Sequence, residues 1–178
     1  MHSDSEQKLV EACLRHDCTA QRALYNRYAP YMLSMALRYV TDADTAQDIV
    51  QEAFIKVFTS LNQYAGKGSF EGWIRRILVN VALESLRRNN VHFDSIDSDE
   101  VLQIAETNES VIERLSADDL MEIISTLPTG FRTVFNMYAI EGYSHKEIAQ
   151  ELGIQESSSR SQYLRAKSLI QKKLEELK

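Results

Sequence analysis

Proline and glycine, the residues that interrupt helices, are scarce in this chain: two and six among 178. So little punctuation excludes a collagen-like chain and leaves an all-β one without its turns, and strong helix formers are abundant, so an all-helical protein is expected. Cysteine is equally scarce. Cys13 and Cys18 cannot staple a chain of this length, which fits a reducing compartment. No run approaches ~18 apolar residues, and the opening MHSDSEQ is polar and acidic where a signal peptide would be basic and then apolar. A soluble, cytoplasmic protein with no membrane insertion is expected. The length suits one ordinary domain or two small ones.

Net positive charge is also missing, but unevenly. The formal charge of −6 hides a segment from Asn89 to Asp118 with eight acids and one base, Arg114. Without that segment's −7, the rest of the chain stands at +1. From Gly153 onward six bases face three acids. An acidic total therefore does not exclude nucleic acid, because phosphate binding depends on local clustering of Lys and Arg.

What is present is helical periodicity. Ala46, Ile49, Val50, Ala53, Phe54, Val57, Phe58 and Leu61 trace one apolar helix face after an N-cap at Thr41 or Asp42. Leu24, Tyr28, Tyr31, Met32, Met35 and Tyr39 trace another upstream. A loop from Asn62 to Gly68 carries two glycines, and Ser69 can cap a further helix running to about Asn90. The poorly periodic acidic stretch reads as a tether, with no specific partner required by its composition. Beyond it, Leu120, Ile123, Ile124 and Leu127 form a helix stopped by Pro128, and Phe131, Val134, Phe135 and Tyr138 form another ending at Gly142. Ser144 and Glu147 make a capping box, Ile148, Ala149 and Leu152 face inward, and Gly153 sits at a left-handed C-cap position. A longer basic helix follows from about Glu156, which completes the pattern of a helix-turn-helix.

On that last helix Ser157, Arg160, Ser161, Leu164, Arg165 and Ser168 share one stripe, while Ser159, Tyr163, Ala166, Ile170 and Leu177 lie opposite. Arginines, small hydroxyls and a leucine suit a major groove, although a solvated basic face has the same composition. On the helix from Phe70, the residues Phe70, Ile74, Ile77, Leu78 and Val81 form the inward side. Trp73, Arg76, Asn80, Leu83 and Arg87 form a neighbouring stripe that offers single-stranded nucleic acid stacking, charge and an amide; the alternative is a core tryptophan ringed by snorkelling arginines. Asp44, Asp48, Gln51 and Ile55 line a face that mixes acids with an apolar residue, which suits a protein interface.

Enzyme signals fail. Gly66-Lys67-Gly68-Ser69 lacks the first glycine of a phosphate loop and inserts Gly68 between Lys and Ser. Cys13, His16 and Cys18 lack a second ligand pair at zinc spacing. His2, His92 and His145 join no carboxylate or nucleophile pattern. No catalytic constellation, metal site or cofactor is expected.

Residues 24–88, with AQDIVQEAFIKVF followed by GSFEGWIRRILVN, resemble region 2 of the extracytoplasmic-function (ECF) sigma factors of bacterial RNA polymerase, in the sigma-70 family. Residues 127–174, with LPTGFRTVFNMYAIEGYSHKEIAQELGIQESSSRSQYLRAKSLIQKKL, resemble their region 4; this half taken by itself also resembles response-regulator output domains. The resemblance implies two helical domains, at 1–90 and 119–178, joined by an acidic linker at 91–118 that enters the polymerase. It implies that Asp44, Asp48, Gln51, Glu52 and Ile55 grip the clamp helices of the largest polymerase subunit. It further implies that the minus-ten element is opened by Lys67, Ser69, Trp73, Arg76, Asn80, Arg87 and Arg88, with a base flipped into the loop from Asn62 to Ser69. Ser157, Arg160, Ser161, Leu164 and Arg165 would read the minus-thirty-five element, while region 4 touches the flap of the second-largest subunit. An anti-sigma factor is the expected restraint.

Three positions depart from the family pattern. Ser157-Ser158-Ser159 replaces Gly-Thr-Val, so an inward Ser159 gives up apolar packing; Gln155 replaces a small N-cap; and Gln162 stands where a base is common. Other classes make distinct demands. A helix-turn-helix repressor needs a dimer and two half-sites, a response regulator needs an α/β receiver, and a metal-dependent helical enzyme needs more ligands near Cys13.

Overall fold

Short acidic and hydroxyl side chains start these helices by accepting bonds from backbone N–H groups that have no partner one turn earlier. The computed structural model describes residues 2–64, 66, 68–89, 91, 93 and 117–176, and clustering of its contacts separates two compact units, residues 1–86 and 87–178. Most of the acidic segment 91–118 lies outside the described residues.

In the first unit, α1 spans His2–Leu14. Asp17 accepts from Thr19 N at 2.8 Å and Ala20 N at 3.1 Å and starts α2, Cys18–Tyr39. Asp42 accepts from Thr45 N at 2.7 Å and from its hydroxyl at 2.6 Å, starting α3, Ala43–Ser60. Those bonds to the charged form hold the Asp42 carboxyl below its ordinary pKa. A 3₁₀ turn, Leu61–Gln63, follows, and Ser69 Oγ takes the Gly72 N–H at 3.0 Å at the start of α4, Phe70–Arg88. A Cβ on Gly72 would lie 3.0 Å from that same hydroxyl, so a larger residue there would require the Ser69 side chain to give way.

The apolar faces expected for α2 and α3 meet in this unit's core. Leu24, Met32, Met35 and Tyr39 are fully buried, as are Ala46, Ala53 and Val57, while Tyr31 and Phe58 are half-buried. The inward set of α4 is wider than its period suggested: Val79, Ala82, Leu83, Ser85 and Leu86 are buried with Phe70, Ile74, Leu78 and Val81, and Ile77 is only half-buried. Leu83 therefore belongs to the core and not to the outward stripe. Burying a leucine there contributes about 1.5–3 kcal/mol, which an exposed stripe would forfeit. The Tyr28 hydroxyl donates to the Glu6 carboxylate at 2.5 Å and ties α1 to α2; burial and that bond push its pKa up.

The second unit holds α5 (Ala117–Ser125), α6 (Thr129–Phe135), a π-helical segment (Asn136–Ile140), α7 (His145–Leu152) and α8 (Glu156–Glu176). Ile123, Ile124, Leu127 and Phe131 pack against Ala166, Ile170 and Leu174. The helix expected to run evenly to Gly142 widens instead: Glu141 N donates to Asn136 O at 2.9 Å, a wider step than an α-helix makes, and Tyr138 is 39% exposed. The capping box forms as expected, with Glu147 N on Ser144 Oγ at 3.2 Å and Ser144 N on Glu147 Oε2 at 2.8 Å. Gly153 ends α7 at φ +70°, and the turn places α8 for outward display. Among the described residues there is no strand, and no helix is long and apolar enough to cross a membrane.

Candidate nucleic-acid interface

On α8 the outward stripe is real. Ser157, Arg160, Ser161 and Leu164 are exposed, Leu164 at 39%, while Arg165 and Ser168 are half-buried. The opposite side is anchored by Ser159, Ala166 and Ile170, with Tyr163 half-buried. Arg160 is held by Glu156 one turn earlier, so a DNA phosphate or base edge would have to take its guanidinium from that exposed ion pair. Such a pair contributes only ~0.3–0.5 kcal/mol, so it does not hold the arginine back.

Two departures from the family pattern find their explanation here. Ser159 is fully buried, and its Oγ lies 2.9 Å from Nδ1 of His145, the buried first residue of α7. A polar pair thus occupies the place of apolar packing. Gln162 is 4% exposed and donates from Nε2 to the Phe93 carbonyl at 2.8 Å, so it does not belong to the outward stripe.

On α4 the intended stripe divides. Arg76, Arg87 and Arg88 are exposed, and so is Ser69, whose hydroxyl is spent on capping. Trp73 is half-buried, packed against Tyr64 and Phe70 with ring centroids 5.5 and 5.6 Å away, so it is both part of the core and part of the surface. Asn80, expected to be an exposed amide, is half-buried, and its Oδ1 is buried with no hydrogen-bond partner among the described residues. Lys67 lies outside the described residues.

The loop before α4 is shaped by Gly66 at φ +69° and Gly68 at φ +82°, and the Tyr64 hydroxyl donates to the Gly68 carbonyl at 3.0 Å. A cavity of about 670 Å³ opens between this loop and α1, walled by Glu6, Gln7, Val10, Glu11, Tyr64 and Phe70 among others. The contribution of α1 to that wall, and Tyr64 as a ring beside Trp73, had no signal in the local sequence. The first comes from packing between segments more than fifty residues apart, the second from the glycine loop folding Tyr64 back onto α4 nine positions later.

The acidic face of α3 presents Asp44, Asp48, Gln51 and Ile55 to solvent, with Ile55 64% exposed. Glu52 differs. It is half-buried and lies 3.7 Å from Lys56, which also reaches Glu84 of α4 at 2.6 Å. Beside this face an apolar groove of about 420 Å³ runs between α2 and α3, lined by Tyr25, Ala29, Pro30, Leu33, Gln47 and Gln51 among others. Tyr25, Ala29, Leu33 and Leu37 are spaced four apart, a signal that was legible on the flank of the dominant apolar face of α2.

Similarity to known proteins agrees with this geometry. The sigma-70 region 2 family matches residues 24–91 and the sigma-70 region 4 family matches residues 117–170. The RNA polymerase sigma-H factor of Pseudomonas aeruginosa is 31% identical over 98% of this chain and 96% of its own. The ECF RNA polymerase sigma-E factor of Escherichia coli K12 is 30% identical over 97% and 96%. The sigma factor RpoE of Bartonella quintana, solved in complex with the anti-sigma factor NepR, shares the fold at a TM-score of 0.54 and 18% identity, covering 86% of this chain and 96% of that one. With both regions present and relatives matching along its whole length, the chain belongs to the sigma-70 family, among its ECF sigma factors.

Proposed function

We propose that the protein is a dissociable specificity subunit that carries core RNA polymerase to promoters and opens the minus-ten element, and that it is not an enzyme. The observation that carries this is the pairing in one chain of a region 2 unit with a region 4 helix-turn-helix. Each DNA-reading unit is weak alone; attachment to one polymerase makes the second contact effectively intramolecular, so promoter choice depends on both elements and their spacing.

In this reading Asp44, Asp48, Gln51 and Ile55 dock on the largest polymerase subunit, with Glu52 contributing from the rim. Ser157, Arg160, Ser161, Leu164 and Arg165 read the upstream element in the major groove, where arginine forks match guanine edges or phosphates. Trp73, Arg76 and Asn80, together with Lys67, Ser69, Arg87 and Arg88, capture the opened minus-ten strand. Opening costs a few kcal/mol of lost stacking, which the aromatic surface and the cavity beside α1 offset by accepting the extruded base. The acidic linker, region 91–118, runs into the polymerase, region 4 meets the second-largest subunit, and an anti-sigma factor restrains the free protein in the cytoplasm. No metal or cofactor takes part.

The test is reconstitution. Purified protein mixed with core RNA polymerase should give promoter-dependent transcripts from genomic fragments, and core enzyme alone should not. Absence of transcripts together with tight, dimeric binding to duplex DNA would mean a helix-turn-helix repressor instead.

A further inference from the structure

Ser159 and His145 are polar residues in a place where two helices pack. Ser159 is fully buried, His145 is 8% exposed, and the 2.9 Å contact between Oγ and Nδ1 joins the first residue of α7 to the inner side of α8, fourteen positions away. The imidazole is also clamped by rings. Tyr138 of the π-helical segment stacks on it, centroids 4.2 Å apart and planes 11° from parallel, and Tyr163 of α8 meets its edge at 5.8 Å. Arg160, which belongs to the outward stripe, directly follows Ser159. Whatever sets the rotation of α8 about its axis at Ser159 therefore sets where Arg160 and Ser161 point.

We infer that His145 and Ser159 are a positioning pair for upstream-element reading: the neutral imidazole locks the rotation of α8, and its protonation releases that lock and weakens binding to duplex DNA. The inference rests on the reading of α8 as the helix that contacts the upstream element.

Burial and the neighbouring positive charge outweigh the groups that would favour the cation. The N–H groups at the start of α7 present a positive helix end to its first residue. From α8, Arg160 adds a full positive charge, and Glu156, the acid that would favour a cation, is engaged with Arg160. Tyr138 offers a ring face that a cation would accept, and Tyr163 and Ser159 are uncharged. On α7 itself Glu147 is committed to the capping box. Burial first, then Arg160, hold the His145 pKa below its ordinary value, with Glu156 opposing. Either neutral tautomer makes the bond to Ser159. The cation could keep the bond only by burying a charge between Tyr138 and Arg160.

His145 is the one histidine between residues 117 and 178; His92 also belongs to this unit's sequence, so the His145→Asn variant is what assigns the pH response to His145. The experiment uses holoenzyme and a duplex upstream element selected from a random pool, with affinity followed from about pH 7.5 down to about pH 5.5. Wild type should lose affinity about fivefold beyond the loss seen in His145→Asn, whose amide stands where Nδ1 was but does not titrate. Ser159→Ala should lower affinity about fivefold at the upper pH without loss of helical signal, and the double variant should be no worse than the poorer single one. In case His145→Asn folds poorly, the ring nitrogen resonances of wild-type His145 provide the second readout, and their titration should coincide with the loss of affinity. Identical pH profiles for wild type and His145→Asn, or full affinity in Ser159→Ala, would overturn the inference. If Arg160→Ala and Arg165→Ala also leave affinity unchanged, the error lies in the reading of α8 and not in the pair.

Discussion

Asn80 carries a buried Oδ1 that no described residue satisfies, on a helix whose other inward positions are apolar apart from Ser85. Leaving a buried acceptor unpaired costs about 1–3 kcal/mol, so removing it should not destabilise the domain. Asn80→Ala is therefore expected to leave denaturant stability unchanged or slightly raised, to bind core polymerase and form a closed complex, and yet to show less permanganate-reactive thymine at the start site. Normal opening in the Asn80→Ala, Arg76→Ala double variant would end the assignment of this stripe to strand capture. At Arg160 and Arg165, replacement by alanine should cost roughly 1–3 kcal/mol of upstream-DNA binding wherever the arginine makes a bidentate base contact, and should instead reduce the salt slope where it meets phosphate. The two arginines stood out in the sequence because basic residues at helical spacing declare their stripe. The buried state of Asn80 did not, since an amide beside arginines reads as exposed until Leu83 is seen to turn that side of α4 into the core.

Elements take their limits from local chemistry, and their stability can be tested at those limits. Gly153 ends α7 at φ +70° with nothing within 4 Å of where a Cβ would sit, so Gly153→Ala should cost about 1 kcal/mol through backbone strain alone. Chemical denaturation of the second unit should show a lower midpoint with an unchanged slope. Along α3, Asp48→Arg and Ile55→Glu should weaken co-elution with core polymerase while helical content stays intact, because both side chains are exposed and neither supports the core. Glu52, tied beside Lys56, should respond less to the same reversal; an equal loss would place it in the centre of the interface. The caps at Asp42, Ser69 and Ser144 were legible because each acts within four residues. The widening of the helix at Asn136 was not, as it depends on how Tyr138 and Met137 settle against other parts of the unit.

For the whole molecule, the charge state of one buried histidine gives stability a pH dependence with a definite sign. The His145 pKa is lowered on folding from its ordinary 6.5, so the unfolded chain holds more protons as pH falls. The stabilising contribution is fully present above that ordinary value and is lost as pH falls through it towards the folded value. Thermal melts should show the second unit's transition falling between about pH 7 and about pH 5 in wild type, and falling less in His145→Asn. A transition that moves equally in both would assign the acid sensitivity to carboxylates.

The helical class, the caps, the helix-turn-helix and the outward basic stripe of α8 were determined by the sequence itself, because period, capping and turn chemistry act over a few neighbouring residues. Only the tertiary structure decided that Leu83 belongs to the core, that Tyr64 stands beside Trp73, that α1 walls the cavity at the glycine loop, and that Ser159 finds His145. Each of these is a meeting of residues nine or more positions apart or of two helix faces, and such meetings are set by which surfaces pack together, something no local pattern encodes.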